Sequence, residues 1–207
     1  MILKESQRNQ NLENPGFIWN KMNVIIVHGC PSDAERARND ETRTYDKHWI
    51  PWIRKNLSDK KIKVIAPLMP EPWKPDYSRW KNEFDKLDIN NESVLVGHSC
   101  GCAFLVRWLG DTDKKVNKLI LVAPWKFAEK ENEKDFYEHE ISENVKKNVE
   151  KTIIFTSDNE EEDGKRSVKI FHETLGGEVI ELTNRGHFTS GDMGSEEFPE
   201  LLDKILE

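Results

Sequence analysis

The apolar positions of the chain fall into short runs that alternate with amphipathic stretches. The runs are rich in Val, Ile and Leu, as is typical of strands buried on both faces of a sheet; they occupy 24–27, 63–66, 93–96, 119–122, 152–156 and 178–182. Between most of them, apolar residues recur at helical spacing. This alternation predicts an α/β fold, in which a mostly parallel sheet of about six strands carries helices on both faces as a three-layer sandwich.

Local signals support individual helices and breaks in this pattern. A helix around Trp49 and Trp52 is compatible with Pro51, because proline is tolerated in the first turn. The four prolines between 67 and 75 exclude both a helix and a central strand there. Asp76 follows that stretch and is a candidate N-cap for the next helix.

The remaining segments suggest the bounds of a single domain. Residues 1–21 are polar and Asn-rich and are interpreted as an N-terminal extension, so the compact α/β domain spans 22–207. Residues 32–44 are charged and lack periodicity, which predicts a loop after the first strand. The 126–150 segment is dominated by Glu, Lys and Asn and is too polar for the core. It is expected to form one or two small surface helices as a minimal cap-like segment.

Composition excludes several classes of partner. The net charge of −7 opposes long-range attraction to nucleic acids and to anionic membranes. Apolar runs stay well below the ~20 residues that cross a bilayer, and the N-terminus lacks a secretory signal pattern. Three cysteines, an odd number, do not suggest a disulfide framework. We therefore expect a cytoplasmic protein.

A candidate nucleophile lies in the sequence Gly97-His98-Ser99-Cys100-Gly101. A buried strand precedes it and a helix-compatible apolar stretch follows, which is the arrangement of a nucleophile elbow. A serine hydroxyl is a weak nucleophile and must project from the sheet edge towards a base. The turn that holds it is sharp, and glycine at 97 and 101 avoids collisions that side chains would cause there.

A base and an acid follow the candidate nucleophile in chain order. In a parallel sheet the carboxyl ends of all strands meet at one edge, so residues after strands three, five and six can converge. His187 lies after strand six, and a group of acids follows strand five. A strand ending near Ser157 favours Glu160 as the acid, with Asp158 as the alternative. The order Ser, acid, His is that of the α/β-hydrolases.

Backbone amides after strands one and three are the predicted oxyanion donors. Cys100 follows the nucleophile directly, and Cys30 lies in the turn after strand one. His28 and His98 are expected to form hydrogen bonds or walls at the elbow rather than to bind a metal. Cys102 and Cys100 lack companion ligands at zinc spacing. Neither a metal nor an organic cofactor is expected.

Two tryptophans are candidate pocket residues. Trp73 lies in the proline-rich segment and Trp125 directly after strand four. Together with the 126–150 segment they are expected to wall a pocket for small or medium substrates that carry an apolar portion.

These motifs resemble the small serine hydrolases of the retinoblastoma-binding-protein-9 type, a compact branch of the α/β-hydrolase superfamily. The resemblance covers about 23–206. Its motifs are the Val27-His28-Gly29 turn, the helix with Trp49 and Trp52, Met69-Pro70-Glu71-Pro72, 97–101, 119–123 and Gly186-His187-Phe188.

The resemblance implies a compact α/β-hydrolase fold, Ser99 as the nucleophile and His187 as the base. The acid of that family is usually an aspartate, often just before a proline. Here Glu160 occupies the matching position and Glu161 follows it.

The expected function is a carboxylesterase-like serine hydrolase that cleaves small ester, thioester or amide substrates through an acyl-enzyme on Ser99. The expected partner is a small-molecule substrate, and the protein is expected to be a monomer or a homodimer. The alternative is an interaction or binding protein on a hydrolase scaffold, with weak or no catalytic activity, because a fold does not guarantee a function.

Overall fold

The computed structural model describes residues 22–31 and 46–207. The predicted N-terminal extension at 1–21 and the predicted loop at 32–44 lie outside the described residues. The division of the chain at residue 22 therefore stays a prediction.

One parallel sheet of six strands organises the described residues, in the spatial order β2-β1-β3-β4-β5-β6. The strands are β1 (Asn23–Val27), β2 (Lys63–Ile65), β3 (Val94–His98), β4 (Val116–Val122), β5 (Val149–Ser157) and β6 (Glu178–Leu182). This confirms the predicted α/β fold, and every described strand pair is parallel.

Helices lie between and after the strands. They are α1 (Ile50–Asp59), α2 (Tyr77–Phe84), α3 (Cys100–Gly110), α4 (Lys134–Tyr137), α5 (Asn144–Asn148), α6 (Glu162–Leu175), α7 (Ser190–Met193) and α8 (Pro199–Leu206). The side chain of Asp76 caps α2 by accepting a 2.9 Å hydrogen bond from the Arg79 amide, as predicted. In the described ranges, every helix falls short of the length and apolar character needed to cross a bilayer.

Two apolar layers cover the sheet because strand side chains alternate between its faces. On β1, Ile25 and Val27 join the core beneath α2, α3 and α6, whereas Val24 and Ile26 join the core beneath α1 and α8. All four side chains are fully buried. The continuous apolar runs of the sequence are thus explained by burial on both faces.

The topology creates a crevice between β1 and β3. The chain leaves β1 towards β2 on one side, whereas β3 pairs with β1 on the other, and Val27 lies opposite Gly97. Ligands of open α/β sheets bind at such a switch point, outside the carboxyl ends of the strands. The residues after β1 and β3 are therefore the ones best placed to form a site.

The 126–150 segment departs from its prediction in one respect. It forms short helices as expected, but Phe136, Tyr137 and Val145 are buried in the core. The ring of Phe136 lies 5.0 Å from that of Trp80, edge to face. The polar average of the segment concealed these few inward-facing side chains. Its cap-like role stays a prediction.

The first turn of α3 packs directly on the end of β1. A Cβ atom at Gly101 would overlap the carbonyl oxygen of Val27 and would lie 2.8 Å from that of His28. A Cβ atom at Gly97 would lie 2.9 Å from the backbone of Cys102. This confirms that glycine is required at both positions by close backbone approach.

We expect Gly101→Ala to lower the free energy of unfolding by about 1–3 kcal/mol, as overpacking against rigid backbone does. The gain in helix propensity, about 1 kcal/mol, is too small to offset this loss. Urea denaturation followed by circular dichroism measures the difference. Gly191→Ala is the control, because its Cβ atom would meet nothing closer than Thr189 Oγ1 at 3.6 Å. Equal stability of the two variants would contradict the steric argument.

Candidate active site

Ser99 has the backbone of a nucleophile held at a sharp turn. Its φ is +53° and its ψ is −120°, a region that residues other than glycine rarely adopt. The strain is held by neighbouring elements, since the Ser99 amide donates to the Val122 carbonyl over 3.0 Å and the Ser99 carbonyl accepts from the Cys102 amide. The serine side chain therefore sits at the N-terminus of α3, between β3 and the helix.

His187 connects Ser99 to an acid. Its Nε2 lies 2.8 Å from Ser99 Oγ, and its Nδ1 lies 3.0 and 3.2 Å from the two carboxylate oxygens of Glu160. An ionised carboxylate only accepts hydrogen bonds, so Nδ1 carries the proton. Nε2 is then free to accept the proton of the serine hydroxyl. The structure thus brings Ser99, His187 and Glu160 together in one hydrogen-bonded chain.

The Glu160 carboxylate is buried and fixed, with a side chain only 1% exposed. Its Oε1 accepts a 2.8 Å hydrogen bond from the Glu161 amide, just before α6. The positive end of the α6 dipole stabilises a negative charge at this position. Gly164 makes the room, because a Cβ atom there would lie 2.6 Å from Glu160 Cγ. A glycine four residues after the acid is thus a sequence signal for Glu160 that the prediction did not use.

Asp158, the alternative acid, points elsewhere. Ser157, Asp158 and Asn159 each accept one 2.8 Å hydrogen bond from a backbone amide of residues 184–186. These bonds fix the loop that carries His187 to the end of β5. Asp158 therefore holds the loop of the base and has no hydrogen bond to the His187 ring.

His98 supports the same loop from the other side. Its Nε2 donates to the carbonyl oxygen of His187 over 2.9 Å. Burial, followed by the nearby His187 and His48, lowers the pKa of His98 well below its usual value, so the ring is neutral. Within the described ranges no cluster of His, Cys, Asp and Glu side chains forms a metal site.

His28 fixes the proline-rich segment. Its Nδ1 donates to the Gly29 carbonyl over 2.7 Å, and its Nε2 accepts a 3.0 Å hydrogen bond from the Met69 amide. Burial lowers its pKa to about 4, partly offset by the bond to Gly29. The neutral ring is needed, because a proton on Nε2 would break the bond to Met69.

The two predicted oxyanion donors lie next to each other. The Cα atoms of Cys30 and Cys100 are 6.0 Å apart, and a Cβ atom on Gly29 would lie 3.1 Å from Ser99 Cβ. Neither the Cys30 amide nor the Cys100 amide donates a hydrogen bond to another group of the described residues. Both are therefore free to bind an oxyanion beside Ser99.

The odd number of cysteines did not suggest a disulfide framework, but the structure contains one disulfide. Cys30 and Cys100 form a disulfide, and Cys102 is free and buried. The two partners are 70 residues apart in sequence and meet only because β1 and β3 are neighbours. An odd number of cysteines leaves one unpaired and does not exclude a bond between the other two.

Two cavities meet at the serine. One, of about 450 Å³, is lined by polar groups that include His48, His98 and Ser190. The other, of about 520 Å³, is lined by the aromatic side chains Trp73, Trp125, Phe127 and Tyr137, and by the carboxylates Glu129, Glu133, Glu161 and Asp192. Both contain Cys30, Pro31, Ser99, His187 and Thr189.

The aromatic cavity contains both tryptophans of the prediction. The rings of Trp125 and His187 meet edge to face with centroids 5.5 Å apart. The indole of Trp125 is fixed by a 2.9 Å hydrogen bond from Nε1 to the Phe127 carbonyl. The polar cavity was not predicted. Its His48 Nδ1 accepts from the Ser190 amide over 3.0 Å, a contact between residues 142 apart that no local pattern could indicate.

Comparison with known proteins identifies a family. A family described as serine hydrolase matches residues 41–206. No curated protein sequence matches the chain.

Solved structures share the fold over most of the chain. The ydeN gene product from B. subtilis is 19% identical with a TM-score of 0.76, covering 89% of this chain and 97% of that one. Est1E from Butyrivibrio proteoclasticus is 12% identical, with a TM-score of 0.60 and coverage of 89% and 84%. A Paleococcus ferrophilus monoacylglycerol lipase is 13% identical, with a TM-score of 0.59 and coverage of 91% and 95%. At these identities the likeness is one of fold.

We expect acid to destabilise the protein through its buried histidines. A folded-state pKa below the unfolded value means that the unfolded chain binds more protons between the two, so stability falls as pH falls from about 6.5 to 4. His28 contributes up to about 1.4 kcal/mol per pH unit in that window, and His98 and His139, whose pKa values are also lowered by burial, add to it.

His28→Gln keeps an acceptor near the Met69 amide and removes the titration. When the pH is lowered from 6.5 to 4.5, the free energy of unfolding should fall in both proteins. The fall should be about 2 kcal/mol smaller in the variant than in the unmodified protein, as measured by urea denaturation. His172→Gln, at an exposed position of α6, is the matched control and should lose as much as the unmodified protein. Equal losses in all three proteins would contradict the assignment to His28.

Proposed function

This chain belongs to the serine hydrolase family, and we propose that it is a carboxylesterase-like enzyme that cleaves small ester, thioester or amide substrates. The observation that supports this best is the hydrogen-bonded chain from Ser99 Oγ through the His187 ring to the buried carboxylate of Glu160. A serine, a base within 2.8 Å and an acid that orients the base are the parts needed for acyl transfer.

In the first half of the proposed reaction, Ser99 Oγ attacks the substrate carbonyl carbon while its proton moves to His187 Nε2. The resulting imidazolium is stabilised by Glu160, and the amides of Cys30 and Cys100 bind the negative oxygen of the tetrahedral intermediate. His187 then donates the proton to the leaving group, which departs and leaves an acyl-enzyme on Ser99.

In the second half, a water molecule replaces the leaving group. His187 accepts a proton from this water as the oxygen attacks the acyl carbon, and returns it to Ser99 Oγ as the acid departs. All of these steps use groups of this chain, so the proposal invokes no metal and no organic cofactor.

The two cavities suggest how a substrate is placed. Because both contain Ser99, a small-molecule ester can put its acyl part in one and its leaving group in the other. The aromatic walls formed by Trp73, Trp125 and Phe127 suit an apolar portion. The volumes, about 450 and 520 Å³, suit small or medium substrates.

Finer assignments remain part of the proposal. Within the serine hydrolase family we assign the chain to the retinoblastoma-binding-protein-9 type, on the motifs given above, and we place it in the cytoplasm. The alternative is a binding protein on the same scaffold, with weak or no catalytic activity. The contact between Glu160 and His187 favours the enzyme over this alternative.

A fluorophosphonate probe tests the proposed nucleophile. We expect covalent labelling of Ser99, identified by peptide mass spectrometry, because the activated hydroxyl attacks phosphorus and the amides bind the new oxyanion. Ser99→Ala should abolish labelling and lower turnover of a short-chain nitrophenyl ester by at least about 10³-fold. Folded protein that is not labelled at Ser99 would refute the enzymatic proposal.

Replacing each candidate acid by the corresponding amide distinguishes Glu160 from Asp158. Glu160→Gln should lower kcat by up to about 10⁴-fold, because an amide no longer fixes the tautomer of His187 or stabilises its charge. Asp158→Asn keeps an oxygen that accepts from the Asn184 amide and should lower kcat much less. Steady-state kinetics on the same ester decide the point. A larger loss in the Asp158 variant would transfer the acid role to Asp158.

A further inference from the structure

The Cys30–Cys100 disulfide joins the turn after β1 to the start of α3, the two segments that border the crevice. Cys30 belongs to the turn after β1, and Cys100 is the first residue of α3, directly after Ser99. The bond therefore crosses the switch point of the sheet at the position of the candidate nucleophile. Cys30 also lines both cavities that meet at Ser99, so it borders the space that a substrate would occupy.

Each partner of the disulfide also carries one of the proposed oxyanion donors. The amide and the sulfur of a cysteine are separated by only two carbon atoms, so a covalent bond between the sulfurs restrains the distance between the two amides. Tight restraint matters because an oxyanion hole acts through donors that are already in position when charge develops.

The two cysteines are supported unequally by the rest of the described structure. Cys100 is held in the first turn of α3, whose glycine at 101 packs on β1. Cys30 lies three residues beyond the end of β1. Apart from the disulfide, its side chain has one polar contact in the described residues, to Tyr137 Oη at 3.6 Å. Cys30 also packs against the apolar core, and the disulfide is the covalent restraint that ties its donor to the start of α3.

We propose that the Cys30–Cys100 disulfide positions the oxyanion hole, so that acyl transfer is fast in the oxidised protein and slowed when a dithiol reduces this bond. The inference rests on the proposed function and adds thiol redox state as a regulator of the same site.

The chemistry of the switch is a thiol–disulfide exchange. A thiolate of an external dithiol attacks Sγ of Cys30, a half-buried residue that lines both cavities, and the sulfur–sulfur bond to Cys100 breaks. The second thiol of the reagent then displaces Cys30, so the protein gains two thiols and the dithiol becomes a cyclic disulfide. Two electrons and two protons move to the protein.

The third cysteine does not take part. Cys102 is fully buried, and its Sγ donates to the Val122 carbonyl over 3.5 Å. Burial raises the pKa of its thiol, so the thiolate needed for exchange is suppressed. The chain therefore carries one reactive pair and one inert thiol, which makes the redox response simple to measure.

The proposed cytoplasmic location supports a regulatory role for the disulfide. Disulfides in reducing compartments are usually transient, catalytic or redox-sensing. A bond at the oxyanion hole would link hydrolysis to the thiol balance of the cell, with activity rising under oxidising conditions.

Kinetics of the oxidised and reduced full-length protein test the proposal. Protein treated with oxidised glutathione, and protein treated with dithiothreitol and then freed of it by anaerobic gel filtration, are assayed on a short-chain nitrophenyl ester. We expect reduction to lower kcat by about 10-fold or more with little change in KM, since removal of one donor outright costs ~10²–10³-fold. Reoxidation should restore kcat.

A boronic acid inhibitor separates positioning from general structure. Its tetrahedral adduct on Ser99 places an oxygen in the oxyanion hole, so its affinity should fall in parallel with kcat on reduction. If the disulfide were merely structural, reduction would alter thermal stability, but kcat and inhibitor affinity would not fall in parallel. The pH profile of kcat should keep its shape in both states.

Variants provide the controls. Cys30→Ser and Cys100→Ser keep both backbone amides, and each should show the low kcat of the reduced protein and no response to dithiothreitol. Cys102→Ala keeps the disulfide and should respond as the unmodified protein does. Circular dichroism confirms that each variant is folded.

The outcomes distinguish this inference from the proposed function. Oxidised protein that labels at Ser99 and hydrolyses ester, but keeps its kcat and inhibitor affinity on reduction, would overturn the redox inference alone. Three titratable thiols after treatment with oxidised glutathione would do the same. Oxidised protein that neither labels nor turns over ester would overturn the proposed function, and the inference with it.

Discussion

The close approach of α3 to the carboxyl end of β1 is the constraint on which the site depends. Because Gly101 brings the helix backbone against Val27, the turn before it must be sharp, and Ser99 takes up that strain with a positive φ. The same approach places the turn after β1 beside Ser99, so that the Cys30 and Cys100 residues, whose amides are the proposed oxyanion donors, are neighbours. The Cys30–Cys100 bond spans the same gap.

The candidate base, His187, is placed by a second, independent set of contacts at β5 and β6. The side chains of 157–159 accept hydrogen bonds from the backbone amides of 184–186. The loop that carries His187 is therefore fixed by contacts that do not involve the His187 ring. His98 holds the carbonyl of the same residue. The ring then has only to bridge Ser99 and Glu160, and each of its nitrogens has one defined partner.

The sequence predicted the features that are local and left open those that depend on distant contacts. Runs of β-branched residues indicate strands that are buried where the runs occur. The glycines at 97 and 101 indicate close backbone approach at those two positions. The choice between Asp158 and Glu160 depends on partners in another loop and on the space left by Gly164. The disulfide depends on strand order. The burial of Phe136 was concealed because charged neighbours dominate its segment.

Electrostatics follow from this placement. The proposed reaction puts one transient positive charge at the site, on His187, and one transient negative charge on the substrate oxygen. Glu160 lies against the first, and the amides of Cys30 and Cys100 are the proposed donors to the second. Burial keeps His98 and His28 neutral, so these two rings act as hydrogen-bonding groups and add no charge that would oppose the imidazolium. The burial of His98 and His28 therefore contributes to the electrostatics of the site, as do the residues that contact Ser99.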